Sequence, residues 1–298
     1  MVTETATTPA WRRAARAAYR SIPFKRELLT ALRRVWQPPE QVYRHLHFQG
    51  PFDTTFAGKS FQIFHSGTIL ENTLFWEGVG ASWERVSLQL WARLAPDARV
   101  VLDIGANTGV YSTIAAAQGA REVIAFEPNP AFCDAISRSN TLNGFRIQIE
   151  PVALSDAPGT IAFSGYQVDD GPDAASRRPG WTSVPRRTLA SFLEERAISS
   201  VDLIKCDVER HEPAVFRGMG RHLAEQRPSI LVEILDDECA GALAELFAPA
   251  GYRYYSIDDA RGSIRRIPSL RRSDHMNVLL CRPEVGDRLE ADRSLPWR

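Results

Sequence analysis

Four polar clusters, each closing an apolar run, carry the potential for chemistry in this chain of 298 residues. In VVLDIGANTGVYSTIAA a hydrophobic strand ends in Asp103, turns through Gly105, Ala106, Asn107, Thr108 and Gly109, and enters a helix at about Asn107. Glycines let the backbone approach a nucleotide-like ligand, and the N–H groups of such a turn and helix start can meet its polar groups. In EVIAFEPNP, Glu127 closes a second strand just before Pro128, about 22 residues after the glycine turn. A carboxylate at that interval can accept hydrogen bonds from both hydroxyls of a ribose. In PVALSD, Ser155 and Asp156 end a third strand. An oxygen there could accept from an adenine amino group, or the segment could be a plain turn before Pro158 and Gly159. Finally, VDLIKCDVERHEPAVFRGM sets Lys205, Asp207 and Glu209 on alternate positions, followed by His211 and a helix opened by Pro213.

The glycine spacing is G-x-x-x-G after an acidic strand end, not the G-x-G-x-x-G that brings a backbone against a pyrophosphate. S-adenosyl-L-methionine has no pyrophosphate, so the expected cofactor is that molecule rather than NAD. If the fourth strand lies beside the first, Asp207 ends it at the switch point where ligands bind. Its carboxylate would then face the methionine end of the cofactor or an acceptor hydroxyl. Methyl transfer requires alignment and removal of the hydroxyl proton, and Asp207, Glu209 and His211 are the available bases. The plainer alternative makes Glu209 a helix cap and His211 a satisfied surface residue. Asp207, Glu209, Glu233 and His275 could converge on a cation, but no spacing signature supports a metal site, and none is expected.

These residues need elements to hold them. From residue 99 strand-like runs alternate with helix-like segments, the pattern of a mainly parallel sheet covered by helices. The expected strands are RVVLDIG, EVIAFE, RIQIEPVALS, VDLIKCDV, SILVEIL, YRYYSI and NVLLCR. They predict an α/β fold of the class I methyltransferase (Rossmann-like) type, a doubly wound seven-stranded sheet with a helical N-terminal extension. Residues 165–185 are rich in glycine and proline and read as a long irregular loop, a lid over the acceptor. Residues 1–95 read as the extension and 96–285 as the catalytic domain, with a tail over 286–298. Within the extension, residues 48–70 suggest a small antiparallel element and 71–95 one or two helices.

Residues 11–36 are dense in arginine with one acid, Glu27, and Pro23 splits them into two short helices. They suit a cap on the main domain or on a second subunit, or a membrane-surface contact. The formal net charge is zero, so nothing global attracts a nucleic acid. Cys133, Cys206, Cys239 and Cys281 form no C-x-x-C pair and fit a reducing cytoplasm. No apolar run approaches a membrane span or a secretory signal.

DIGANTGVYS, VIAFEPNP, PVALSD, VPRRTLASFL, DLIKCDVERHEPAVFRGM, RPSILVEI and HMNVLL occur in the order seen in FkbM-type methyltransferases, and residues 99–282 resemble that family. The resemblance implies S-adenosylmethionine-dependent O-methylation of a hydroxyl on a small molecule, sugar, glycan or other natural product. One position departs: the family usually has a glycine after D-V-E, and Arg210 stands there. A guanidinium at that place could bind an anionic substrate. Three other readings are disfavoured. NAD(P)-linked oxidoreduction lacks its glycine spacing and a Tyr-x-x-x-Lys pair, and a non-catalytic binding protein has no need for all of these residues. Nucleic-acid methylation has no N/D-P-P-Y/F segment to hold a flipped base.

Overall fold

The structure is a computed structural model describing residues 22–298 except 82–83, 170, 172–174, 176–177 and 273–274, together with Tyr19. Of the two helices expected over residues 11–36, the first falls, Tyr19 apart, outside the described residues. The second is α1 (Lys25–Arg33), starting two residues after Pro23. The chain continues through α2 (Glu40–Tyr43), the antiparallel hairpin β1 (Gly50–Phe56) and β2 (Lys59–His65), α3 (Ile69–Glu77) and α4 (Arg85–Leu94).

There follow β3 (Val100–Ile104), α5 (Val110–Gln118), β4 (Glu122–Phe126), α6 (Pro130–Asn143), β5 (Gln148–Glu150), β6 (Ala153–Leu154), β7 (Gly159–Phe163), β8 (Val168–Asp169), β9 (Thr182–Arg187) and α7 (Leu189–Glu195). The remaining elements are β10 (Leu203–Cys206), α8 (Glu212–Met219), α9 (Arg221–Gln226), β11 (Ser229–Glu233), α10 (Asp237–Phe247), β12 (Arg253–Asp258), β13 (Ser263–Ile267), β14 (Asn277–Cys281) and α11 (Pro283–Glu290).

The main sheet has eight strands in the order β13-β12-β14-β11-β10-β3-β4-β5. β10 runs parallel between β3 and β11, as expected for the fourth strand, and β14 inserts antiparallel between β11 and β12. This is the class I methyltransferase architecture. It exceeds the seven strands read from the sequence because β13 folds back on β12 as a hairpin. The expected third strand, RIQIEPVALS, is two strands. Pro151 has no N–H for a ladder, and Val152 N–H turns back to the Glu150 carbonyl at 2.8 Å. β5 stays in the main sheet while β6 leaves it for a four-stranded sheet ordered β6-β9-β7-β8.

That second sheet corrects the long-loop reading of residues 165–185, since β8 and most of β9 fall there. Pro185 fits within β9 because β6 pairs with β9 only from Arg186 onward, so on that side Pro185 is an edge. The alternation of side chains between the two faces is clearest in the main sheet. Val101, Leu203, Leu231 and Leu279 face one core, shared with the N-terminal hairpin, while Leu102, Ile204, Ile230 and Leu280 face the other. On the hairpin the backbone of β2 is closed by α6: Gln62 N–H donates to Asn143 Oδ1 at 2.7 Å and Phe64 N–H to Ser139 Oγ at 3.0 Å. No helix among the described residues is long and apolar enough to cross a membrane.

Candidate active site

A cavity opens at the carboxyl ends of β3, β4 and β10, where a doubly wound sheet binds ligands. The predicted residues Gly105, Asn107, Glu127, Pro128, Asp207, Glu209 and His211 line it, with apolar walls from Phe126, Phe132, Leu154, Phe163 and Tyr166. Asp103, Ala106, Thr108, Gly109, Ser155 and Asp156, expected to touch the cofactor, do not line it and stand behind or beside the wall.

Each displaced residue has a local reason. Asp103 is buried and turned toward α5, where Oδ2 accepts the N–H and hydroxyl of Ser112 at 2.8 and 2.6 Å. Burial pushes its carboxyl up to about 6, although Ser112 pulls the other way. Gly109, not Asn107, precedes the helix; a Cβ there would lie 2.7 Å from Ile136 Cγ1, so its role is close packing of α5 on α6. Ala106 N–H bonds to the Phe126 carbonyl, fixing the turn against β4. Asp156 is drawn to Arg217 at 3.4 Å, and Ser155 Oγ lies 3.0 Å from His211 Nε2.

Gly105 is required by both conformation and space. Its φ is +76°, and a Cβ would sit 1.9 Å from the Asp207 carbonyl oxygen, so the turn and the end of β10 touch backbone to backbone. Glu127 is held from two sides: Oε2 accepts Asn107 N–H and Oε1 accepts Asn129 N–H, both at 2.8 Å. Burial pushes this carboxyl up to about 7 against the pull of those two donors.

These features fit S-adenosylmethionine. Each Glu127 oxygen keeps a lone pair for a ribose hydroxyl, and the aromatic and aliphatic walls suit a purine. Asn107, Glu127 and Pro128 would hold the nucleoside, with Asp207 toward its far end.

Around Asp207 lies a polar layer in which the sequence named Lys205 and Glu233 and missed Glu84. Lys205, 1% exposed, pairs with Asp207 through Nζ and Oδ2 at 3.0 Å and lies 5.2 Å from the Tyr111 ring centre. Desolvation opposes its charge, but Asp207, Glu84 and Glu233 together hold the ammonium above its ordinary value. Burial, then the Asp207 charge, pushes Glu233 up to about 9. Glu84, at the N-cap of α4, is also raised by burial and accepts from Asn277 Nδ2 at 2.8 Å. The strand register explains the layer: Lys205 is opposite Asp103, and Glu233 is opposite Asn277, all on the face shared with the N-terminal extension. A lysine inside an apolar strand was the available signal; Glu84 lay in a segment without a motif.

Glu209 and Arg210 both have left-handed backbones, with φ of +55° and +78°. This is the place of the family's usual glycine, and the turn is kept at a cost of about 1–2 kcal/mol per residue. Burial and Asp207 raise the Glu209 carboxyl. The Arg210 guanidinium, considered above for an anionic substrate, pairs with Asp236 at 2.9 Å. Glu209 does not cap α8: the N-cap is His211 with no side-chain cap bond, and Glu212 in the first turn instead holds the preceding turn by accepting Val208 N–H at 2.9 Å. His275 lies away from Asp207 and contacts Asp258 at 3.2 Å. Among the described residues no group of three or more His, Cys, Asp or Glu side chains could hold a metal ion.

The family model described as the methyltransferase FkbM domain matches residues 103–254. A curated relative, the AMB antimetabolite synthetase AmbE of Pseudomonas aeruginosa, is 26% identical over 251 residues, covering 69% of this chain and 11% of the synthetase. The chain therefore spans a small part of that relative. Among solved structures, the methyltransferase FkbM of Methylobacillus flagellatus is similar at 15% identity and a TM-score of 0.41, over 62% of this chain and 44% of that one. A SAM-dependent methyltransferase of Agrobacterium tumefaciens is similar at 14% identity and a TM-score of 0.41, over 78% of this chain and 70% of that one. The glycine turn, the acid that ends β4 and the D-V-E strand end all lie inside the matched span, and the chain belongs to the FkbM family of S-adenosylmethionine-dependent methyltransferases.

Proposed function

We propose that this methyltransferase acts on oxygen, methylating a hydroxyl of a small molecule, sugar, glycan or other natural product. The observation behind this reading is that one cavity carries Glu127 on one side and Asp207, Glu209 and His211 on the other. S-adenosylmethionine, when bound, supplies an electrophilic methyl group on a sulfonium. A free alcohol is a weak nucleophile at neutral pH, so the chain must orient it and take its proton.

Asp207 is suited to orienting the hydroxyl because Lys205 holds its carboxylate from behind. Glu209, raised by burial and by the Asp207 charge, or His211, steadied by Ser155, takes the proton. Phe132 and Tyr166, with ring centres 5.6 Å apart, screen the apolar side of the cavity from water. Incubation with methyl-labelled S-adenosylmethionine and a panel of sugars, glycans and hydroxylated small molecules tests the reading. The expected result is label on an ether oxygen, lost in Asp207→Asn. Label on nitrogen or carbon would refute it.

A further inference from the structure

Ten large apolar side chains are exposed among the described residues, and five of them, Ile22, Phe24, Leu28, Val35 and Trp36, fall within 15 positions around α1. Leu28 lies within α1, Phe24 is its N-cap and Val35 follows its C-cap Arg34, and they are 58, 76 and 83% exposed, so an interrupted apolar stripe marks the middle and both ends of the helix. The other side of α1 is packed: Leu29 is buried in the core, Leu32 lies against it, and Arg33 covers the Phe75 ring at 5.0 Å. The helix is thus anchored to the protein by one face while presenting bulky apolar groups on another.

The charge of the surrounding sequence is one-sided. Residues 11–36 contain eight of the chain's 36 basic residues and one of its 36 acidic residues, Glu27. The segment carries seven positive charges, balanced by seven negative ones elsewhere in a chain of zero net charge. Arg26 and Arg34 flank the stripe within α1 and its C-cap, and Glu27 is paired with Arg26 at 2.6 Å. A second copy seated on this face would bring two strongly basic segments together, which like-charge repulsion opposes. A polyanion alone would satisfy the arginines and leave the phenylalanine, leucine, valine and tryptophan in water. An anionic lipid surface meets both demands, with acyl chains for the stripe and headgroups for the basic rim.

We propose that α1 with its flanking residues is a docking face for an anionic lipid bilayer, holding the enzyme at the membrane surface without crossing it. The experiment is co-sedimentation of the full chain with vesicles of phosphatidylcholine alone and of phosphatidylcholine with one-quarter phosphatidylglycerol. Partitioning should be at least about tenfold stronger on the anionic vesicles and weaken as salt is raised. Phe24→Glu with Leu28→Glu, and separately Arg26→Glu with Arg34→Glu, should each reduce that binding by about tenfold or more. Phe24, Leu28 and Arg34 are exposed and Arg26 is half-buried at the surface, so calorimetric affinity for S-adenosylhomocysteine should match the parent and report an intact fold. Equal partitioning on the two vesicle types would overturn the proposal, as would unchanged binding in both variants. So would a dimer, seen by light scattering, that the Phe24→Glu and Leu28→Glu changes split.

Discussion

Lys205 Nζ lies 3.0 Å from Asp207 Oδ2, and the lysine side chain is almost wholly buried. It is the near counter-charge for Glu84 and Glu233 as well, so its loss leaves three carboxyl groups crowded in a dry layer. Lys205→Met should destabilise the protein by about 3–5 kcal/mol near neutral pH. The loss should be larger near pH 10 than near pH 7, because Glu233, raised to about 9, holds its proton at neutral pH and becomes a second unpaired negative charge above it. Urea unfolding at both pH values measures this; equal losses would show that the lysine acts through packing alone.

Glu127 links stability to cofactor binding. Its carboxyl is raised from 4.5 to about 7 in the cofactor-free fold. The fold therefore favours the protonated form, and this contribution is fully present below the unfolded value and lost as pH rises through 7. It amounts to at most about 3 kcal/mol. The pH dependence of unfolding should be shallower between these values in Glu127→Gln. Ribose hydroxyls donating to the carboxylate favour its charged form, so affinity for S-adenosylhomocysteine should rise with pH across the same window. Calorimetry in two buffers of different ionisation heat should show proton release in the parent and none in Glu127→Gln.

Gly105→Ala should abolish tight cofactor binding. The added methyl would meet the Asp207 carbonyl oxygen at 1.9 Å, on a residue whose φ of +76° already strains any side chain. Relief requires the turn and the end of β10 to part, which shifts Asn107 relative to Glu127 and disturbs their hydrogen bond. An affinity loss of more than about tenfold, about 1.4 kcal/mol, is expected by calorimetry. Parent-like affinity would mean that the two strand ends do not need this contact.

Proton management at the acceptor is tested by Asp207→Asn, Glu209→Gln and His211→Ala. A positioned base contributes about 10²- to 10⁴-fold, so replacing the true base should lower turnover in that range while leaving S-adenosylhomocysteine affinity nearly intact. If His211 serves, the pH–rate profile of the parent has a rising limb that vanishes in His211→Ala. Parent-like turnover in all three variants would move the base elsewhere.

Much of this architecture was legible in the chain. The apolar runs ending in Asp103, Glu127 and Asp207 located β3, β4 and β10, because parallel central strands are apolar on both faces and reach their ligands at one end. What escaped depended on three-dimensional register. A run such as RIQIEPVALS has continuous strand character, and its division at Pro151 follows from β6 finding β9 as a partner more than 30 residues later. Asp103 and Glu127 both look like strand-end acids, yet Ser112 captures the first for α5, whereas the second opens onto the cavity. Glu84 carried no local signal because its partner, Asn277, lies 193 residues away.

The four-stranded sheet has its own small apolar cluster, Ala153, Ile161, Phe163 and Val184 with Val168 against it, distinct from the two cores of the main sheet. Few buried contacts hold such a unit, so it can open at a fraction of the free energy of global unfolding. Phe163, Gly165, Tyr166 and Val168 belong to it or to its turn, and they form one wall of the cavity. Amide exchange in β7 and β9 should then be faster than in β3 and β10 by orders of magnitude, and the release rate of S-adenosylhomocysteine should track the opening rate of this one wall.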